Sequence, residues 1–113
     1  IESAKNNLFQ KLIMITEAFG GRYDITGAYP GWAYKQDSKL RSHMIAVYQR
    51  LYGKEPEVVA IHAGVECGLF SEKISGLDCI SIGPDMKDIH TTGEKLSVAS
   101  TKRTWEYIKA VLE

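Results

Sequence analysis

The chain has 113 residues, of which 44% are hydrophobic and 25% are charged, as expected for one ordinary globular domain. Its 14 basic and 14 acidic residues balance, so charge gives no basis for binding nucleic acid or anionic lipid. The apolar runs are too short for a membrane-spanning helix and no signal-peptide pattern is visible, so we expect a cytoplasmic location. Because the chain starts at Ile1 rather than Met and begins at once in a helical pattern, we expect a piece of a longer protein.

The first segment predicts a helix followed by a short strand. An apolar stripe at helical spacing runs over residues 1–19 and stops at two glycines. Its members are Leu8, Leu12, Ile15 and Phe19. Residues 22–28 then alternate like a strand, and Tyr29-Pro30-Gly31-Trp32 forms a turn that marks the clearest seam of the chain.

A second helix is predicted to begin after Asp37 or Ser38 and to end at Gly53. Its apolar face comprises Leu40, Met44, Val47 and Leu51. His43 lies on this helix and is expected at the surface without a chemical role, because an isolated helical histidine usually meets solvent. The two cysteines, Cys67 and Cys79, lack the spacing of a zinc or redox motif and are expected to be reduced, mostly buried thiols.

The next elements predict an α/β fold with a parallel βαβ unit and packing helices. A β-branched strand over 57–61, a short helix over 67–74 and a strand over 79–82 have the order and spacing of a right-handed crossover. A last helix over 97–112 is expected to pack through one apolar face. That face comprises Val98, Trp105, Ile108 and Leu112.

Two polar loops follow the predicted parallel strands, so they are expected to lie side by side at the carboxyl edge of the sheet. They contain His62, Glu66, Asp85, Asp88, His90 and Glu94. His90 is either a metal ligand or catalytic group, or a polar loop residue beside carboxylates. His62 has either a functional role or a structural one, in packing or backbone hydrogen bonding. Gly64 indicates either close approach of the backbone to a ligand or an ordinary turn.

Three stretches of the sequence resemble one enzyme family. Residues 60–68 (Ala-Ile-His-Ala-Gly-Val-Glu-Cys-Gly), 83–85 (Gly-Pro-Asp) and 88–91 (Asp-Ile-His-Thr) are similar to the C-terminal part of aminoacyl-histidine dipeptidases. These Xaa-His or carnosine-cleaving enzymes, also called peptidase D, fall within the di-zinc metallopeptidase superfamily. The turn at 29–32 resembles the joint between the lid domain and the catalytic domain of that family.

The resemblance implies residues 1–29 as the end of a lid domain and residues 30–113 as the C-terminal portion of the catalytic domain. It implies a parent that hydrolyses dipeptides with water activated by two zinc ions. His90 would be the last zinc ligand, and Gly64 would line the substrate pocket by its backbone, with Glu66 and His62 in the same motif. The catalytic base and the remaining ligands would lie outside this chain, which would be inactive alone.

Two other functions are consistent with the residues. The chain could be a non-catalytic α/β interaction module, or a small metal-binding protein using His62, Glu66 and His90. If the chain is part of a longer protein, as the resemblance implies, the strands at 57–61 and 79–82 would lack sheet neighbours, which predicts open sheet edges and self-association of the isolated chain.

Overall fold

Four helices and one two-stranded antiparallel sheet form the chain in a computed structural model that describes residues 2–60 and 66–113. The helices are α1 (Glu2–Ala18), α2 (Lys39–Tyr52), α3 (Glu66–Lys73) and α4 (Val98–Leu112), and strands β1 (Met86–Lys87) and β2 (Lys95–Leu96) separate α3 from α4. Along the described ranges, none of the helices has the length and apolar character needed to cross a bilayer.

The chain divides into two units. The first comprises Ile1–Lys35 with Ile61–Leu77, and the second comprises Gln36–Ala60 with Asp78–Glu113. The second unit is therefore built from two separate stretches of sequence. The predicted division into residues 1–29 and 30–113 concerns a larger protein and stays a prediction.

The start of α1 holds the turn predicted near Tyr29. Lys5 Nζ donates to the Tyr29 carbonyl at 2.8 Å, and the Gly31 N–H donates to Glu2 Oε2 at 3.4 Å. Lys5 and Glu2 also pair at 2.7 Å, and the hydrogen bond from Lys5 is the main reason that the pKa of Glu2 is lowered. Gly68 of α3 is buried against the same segment, because a Cβ there would lie 3.2 Å from the Pro30 carbonyl oxygen.

The second unit contains the buried core, which lies between α2 and α4. Met44, Val47 and Tyr107 are buried at its centre. Partly buried side chains surround them, namely Leu40, Tyr48, Tyr52, Ile80, Ala110 and Val111. Tyr107 donates its hydroxyl to the Met44 carbonyl at 2.7 Å, which satisfies its polar group inside the core. The Tyr48 ring meets the Tyr107 ring edge-on, with centroids 5.3 Å apart.

Local signals set both ends of α2. Ser38 is the N-cap and accepts a hydrogen bond from the Arg41 N–H at 2.9 Å, while Gly53 closes the helix in the left-handed conformation with φ +67°. Asp78 adds a second cap from the far stretch of the unit: its carboxylate accepts from Ser38 Oγ at 2.7 Å and from the Leu40 N–H at 3.0 Å. A carboxylate here complements the positive end of the helix dipole. The predicted helix and its caps are confirmed.

The predicted parallel βαβ unit is not confirmed. Residues 57–60 and 79–82 are described, and neither range contains a strand; the predicted strand at 22–28 is absent as well. Val58 and Val59 are exposed, whereas Ile80 packs on the core of the second unit. A strand exists only through hydrogen bonds to a neighbour, and a β-branched run indicates an extended segment without supplying that neighbour.

The predicted packing face of α4 is largely wrong. Val98 and Leu112 are 82% and 81% exposed and Trp105 is also exposed, while Ile108 is half-buried. The face that packs on α2 instead carries Tyr107, Ala110 and Val111. The helix has two apolar stripes, and its periodicity alone does not show which of them α2 covers.

The apolar stripe of α1 is exposed in the same way. Leu8, Leu12 and Ile15 are all more than half exposed and Phe19 is 88% exposed. The two cysteines, Cys67 and Cys79, are of intermediate burial and form no disulfide in the described part of the chain, so the predicted burial is only partial.

Candidate functional site

His90 lies in the loop of a β-hairpin in the second unit. The hairpin pairs Met86 with Leu96 and Lys87 with Lys95, and residues 88–94 form the loop between the strands. The Gly83-Pro84 break that suggested a loop therefore leads into a hairpin rather than an open segment. His90 is exposed.

Hydrogen bonds within the loop fix its backbone. The Thr91 N–H and Thr91 Oγ1 both donate to the Asp88 carbonyl, at 3.2 and 2.7 Å, and the Glu94 N–H donates to the Thr91 carbonyl at 3.2 Å. Asp88 and His90 have positive φ values of 53° and 64°, which few residues other than glycine adopt. Glu94 Oε2 accepts a hydrogen bond from the His90 N–H at 2.9 Å. Thus the loop holds its histidine in a defined conformation.

The base of the hairpin is attached to the first turn of α4. The Asp85 N–H donates to Ser100 Oγ at 2.8 Å, and the Ser97 N–H donates to the Asp85 carbonyl at 3.0 Å. Arg103 pairs with the Asp85 carboxylate at 3.2 Å, but both side chains are mostly exposed, so this ion pair adds little stability. Ser100, only 3% exposed, is the main attachment.

The described residues do not form a complete metal site around His90. Within residues 2–60 and 66–113, no group of three or more His, Cys, Asp or Glu side chains could hold a metal ion. The imidazole of His90 makes no hydrogen bond to the described part of the chain, and a neutral imidazole is a common metal ligand. A zinc site needs three or four protein ligands, so any further ligands would have to come from other residues.

The other predicted site residues are distributed as follows. Glu66 is the exposed first residue of α3 in the first unit, where its charge complements the helix dipole. His62 and Gly64 lie outside the described residues. Asp88 and Glu94 lie in the hairpin loop with His90, and Glu94 contacts the His90 backbone, whereas the Asp85 carboxylate pairs with Arg103 of α4. The predicted convergence with the first loop stays a prediction.

His43, for which no chemical role was expected, makes a structural contact. Its Nε2 lies 3.0 Å from the Val111 carbonyl oxygen, and this contact joins α2 to the end of α4. Sequence reasoning missed Ser100 because a serine in the first turn of a helix looks like an ordinary helix-start residue. In the sequence, the only indication of the contact between Glu94 and His90 was that the two residues are four positions apart in one loop.

Comparison with known proteins identifies a relative for the whole chain. The cytosol non-specific dipeptidase of Escherichia coli (strain K12) is 33% identical over 113 residues, covering 100% of this chain and 23% of that protein. The crystal structure of aminoacylhistidine dipeptidase from Vibrio alginolyticus matches 99% of this chain with a TM-score of 0.80 and 34% identity. The chain matches a C-terminal part of these dipeptidases.

The resemblance predicted from residues 60–68, 83–85 and 88–91 is therefore confirmed. The chain spans about a quarter of the length of the relatives it matches, 23% in both cases. No protein-family model matches it. The match supports the mixed α/β class, while the names of the two relatives differ in the specificity that they state.

Proposed function

We propose that this chain is the C-terminal part of a zinc metallopeptidase that hydrolyses dipeptides of the Xaa-His type in the cytoplasm. The similarity to two dipeptidases over at least 99% of the chain carries the proposal. The hairpin supports it, because its hydrogen-bonded loop contains the exposed residue His90. Residues 1–29 would end a lid domain and residues 30–113 would belong to the catalytic domain.

His90 would supply one ligand to a centre of two zinc ions in the parent protein. Zinc, when bound, activates a water molecule and polarises the peptide carbonyl. The chain's own contribution would be to bind and orient: His90 would hold a metal ion, and the backbone near Gly64, with Glu66 and His62, would line the substrate pocket. The catalytic base lies elsewhere in the parent, so the 113-residue chain alone is inactive.

The direct test compares two histidine substitutions in the longer protein that contains this chain. His90→Ala should lower bound zinc and dipeptidase turnover by at least tenfold, because a lost ligand weakens the metal site. His43→Ala is the matched control, since it removes an imidazole whose described contact is the Val111 carbonyl, and it should keep both. Normal zinc content and turnover in His90→Ala would show that His90 is not a ligand.

Substrate preference needs its own measurement, because one relative is named for aminoacylhistidine and the other for non-specific cleavage. The wild-type longer protein should hydrolyse β-alanyl-histidine with a higher kcat/KM than β-alanyl-alanine. Equal values would contradict the Xaa-His preference while leaving the dipeptidase activity intact.

The alternatives are tested with the 113-residue chain itself. Zinc titration by calorimetry should show no tight stoichiometric site, because His90 is one ligand. Tight binding that requires His62, Glu66 and His90 together would instead favour a small metal-binding protein. A longer protein with neither metal nor peptidase activity would favour the interaction module.

A further inference from the structure

The backbone of His90 adopts a conformation that a histidine rarely holds without support. Its φ is +64°, in the left-handed region. The N–H of the same residue donates to Glu94 Oε2 at 2.9 Å. The hydrogen bond links residues 90 and 94 across the loop, so it supports the left-handed backbone conformation of His90.

Glu94 can act as a fixed anchor because its own backbone is held. Its N–H donates to the Thr91 carbonyl at 3.2 Å, and the next residue, Lys95, begins β2. Beyond β2, the Ser97 N–H donates to the Asp85 carbonyl at 3.0 Å, and the Asp85 N–H donates to the buried Ser100 at 2.8 Å. The loop that carries Glu94 is therefore linked by hydrogen bonds to the start of α4.

We infer that Glu94 is a positioning residue for His90, an inference that rests on the proposed role of His90 as a ligand. The φ angle of a residue sets the direction of its Cα–Cβ bond relative to the chain. By holding the His90 N–H, the Glu94 carboxylate fixes the direction in which the imidazole leaves the hairpin. Glu94 binds the backbone of His90 and has no contact with substrate in this role.

Conservative variants separate this role from a general effect of charge. The side-chain carbonyl of Gln accepts the same hydrogen bond, so Glu94→Gln keeps the contact and loses the charge. Glu94→Asp keeps the charge but is one methylene shorter, so it loses the contact. Glu94→Ala loses both, and Glu106→Ala on α4 is the control for removing an exposed glutamate.

The first experiment is NMR on the 113-residue chain, in which a strong intraresidue HN–Hα NOE at His90 reports positive φ. We expect this NOE in the wild type, Glu94→Gln and Glu106→Ala, and its loss in Glu94→Asp and Glu94→Ala. Helix content by circular dichroism shows that each variant is folded. A strong His90 NOE in a folded Glu94→Ala or Glu94→Asp variant would overturn the inference.

The second experiment measures zinc affinity and kcat/KM in the longer protein. Loss of an outer partner of a metal ligand typically costs 10–100-fold, so we expect about that loss for Glu94→Ala and Glu94→Asp and near-normal values for Glu94→Gln. Equal losses in Glu94→Gln and Glu94→Ala would assign the effect to charge and overturn the positioning role. Failure of the proposed function is distinct, because it appears as normal zinc content in His90→Ala.

Discussion

Replacing Ser100 by alanine should detach the hairpin from α4. Ser100 Oγ accepts from the Asp85 N–H at 2.8 Å and donates to the Ser97 carbonyl at 2.9 Å. The Ser97 carbonyl keeps two other donors, the Thr101 N–H and Thr101 Oγ1, both at 3.0 Å. Only the Asp85 N–H therefore loses its partner in Ser100→Ala.

The cost follows from that single unpaired donor. Removing one part-buried hydrogen bond costs about 1 kcal/mol. The better helix propensity of alanine returns at most about 0.5 kcal/mol. We therefore expect the free energy of unfolding of the second unit to fall by about 0.5–1 kcal/mol. With a urea dependence of about 2 kcal/mol per molar, the midpoint should fall by about 0.25–0.5 M.

Urea unfolding followed by far-UV circular dichroism measures the midpoint, and amide hydrogen exchange at Asp85 reports the hairpin contact directly. Thr101→Ala is the matched control: Thr101 is exposed and donates to the same Ser97 carbonyl, which keeps its other donors. Its midpoint should stay near that of the wild type. Equal midpoints and equal exchange at Asp85 for the two variants would refute the assignment of Ser100 as the attachment.

Three further outcomes are expected. Gly53→Ala should lower the free energy of unfolding by about 1 kcal/mol, because the φ of residue 53 is +67°. Gly83 lies in open space without a positive φ, so Gly83→Ala is the neutral control. Similar urea midpoints for the two variants would contradict this prediction. Burial, with smaller effects of neighbouring tyrosines, raises the pKa of Tyr107. The protonated Tyr107 therefore stabilises the folded state fully below the unfolded tyrosine pKa of about 10, and this stabilisation is lost as pH rises through the higher folded pKa. Tyr107→Phe should therefore flatten the alkaline fall in stability, and an unchanged pH profile would count against it. The 113-residue chain should self-associate in sedimentation, and replacing Phe19 and Leu112, 88% and 81% exposed, by glutamine should shift it towards monomer; a wild-type monomer at high concentration would argue the opposite.

The helices were the predictable part of the fold because their signals are local. Ser38 and Gly53 mark the ends of α2 in the sequence, and both act as caps in the structure. The strands at 57–61 and 79–82 were not predictable in the same way, since pairing depends on a neighbour that a β-branched run does not specify. For α4, the sequence shows two apolar stripes, and only the structure shows that Tyr107 belongs to the packed one.

For the candidate site, the position of His90 in a polar loop after Gly83-Pro84 was predictable from turn chemistry. Its left-handed backbone and its bond to Glu94 were not, because both depend on how residues 88–94 close between β1 and β2. The expected proximity of His90 and Glu66 depended on two parallel strands ending at the same sheet edge. Because the described residues contain no such strands, the topology does not support this proximity.

The second cap of α2 has a consequence for the order of assembly. Asp78 lies 40 residues after Ser38, and the chain between them leaves the second unit at Ala60 and returns at Asp78. During synthesis from the N-terminus, α2 must emerge before the carboxylate that completes its start and before the whole of α4. Until residue 107 is made, Met44 and Val47 lack Tyr107, the third buried residue of their core. The nascent helix therefore exposes its apolar face for the time needed to translate about half of the chain.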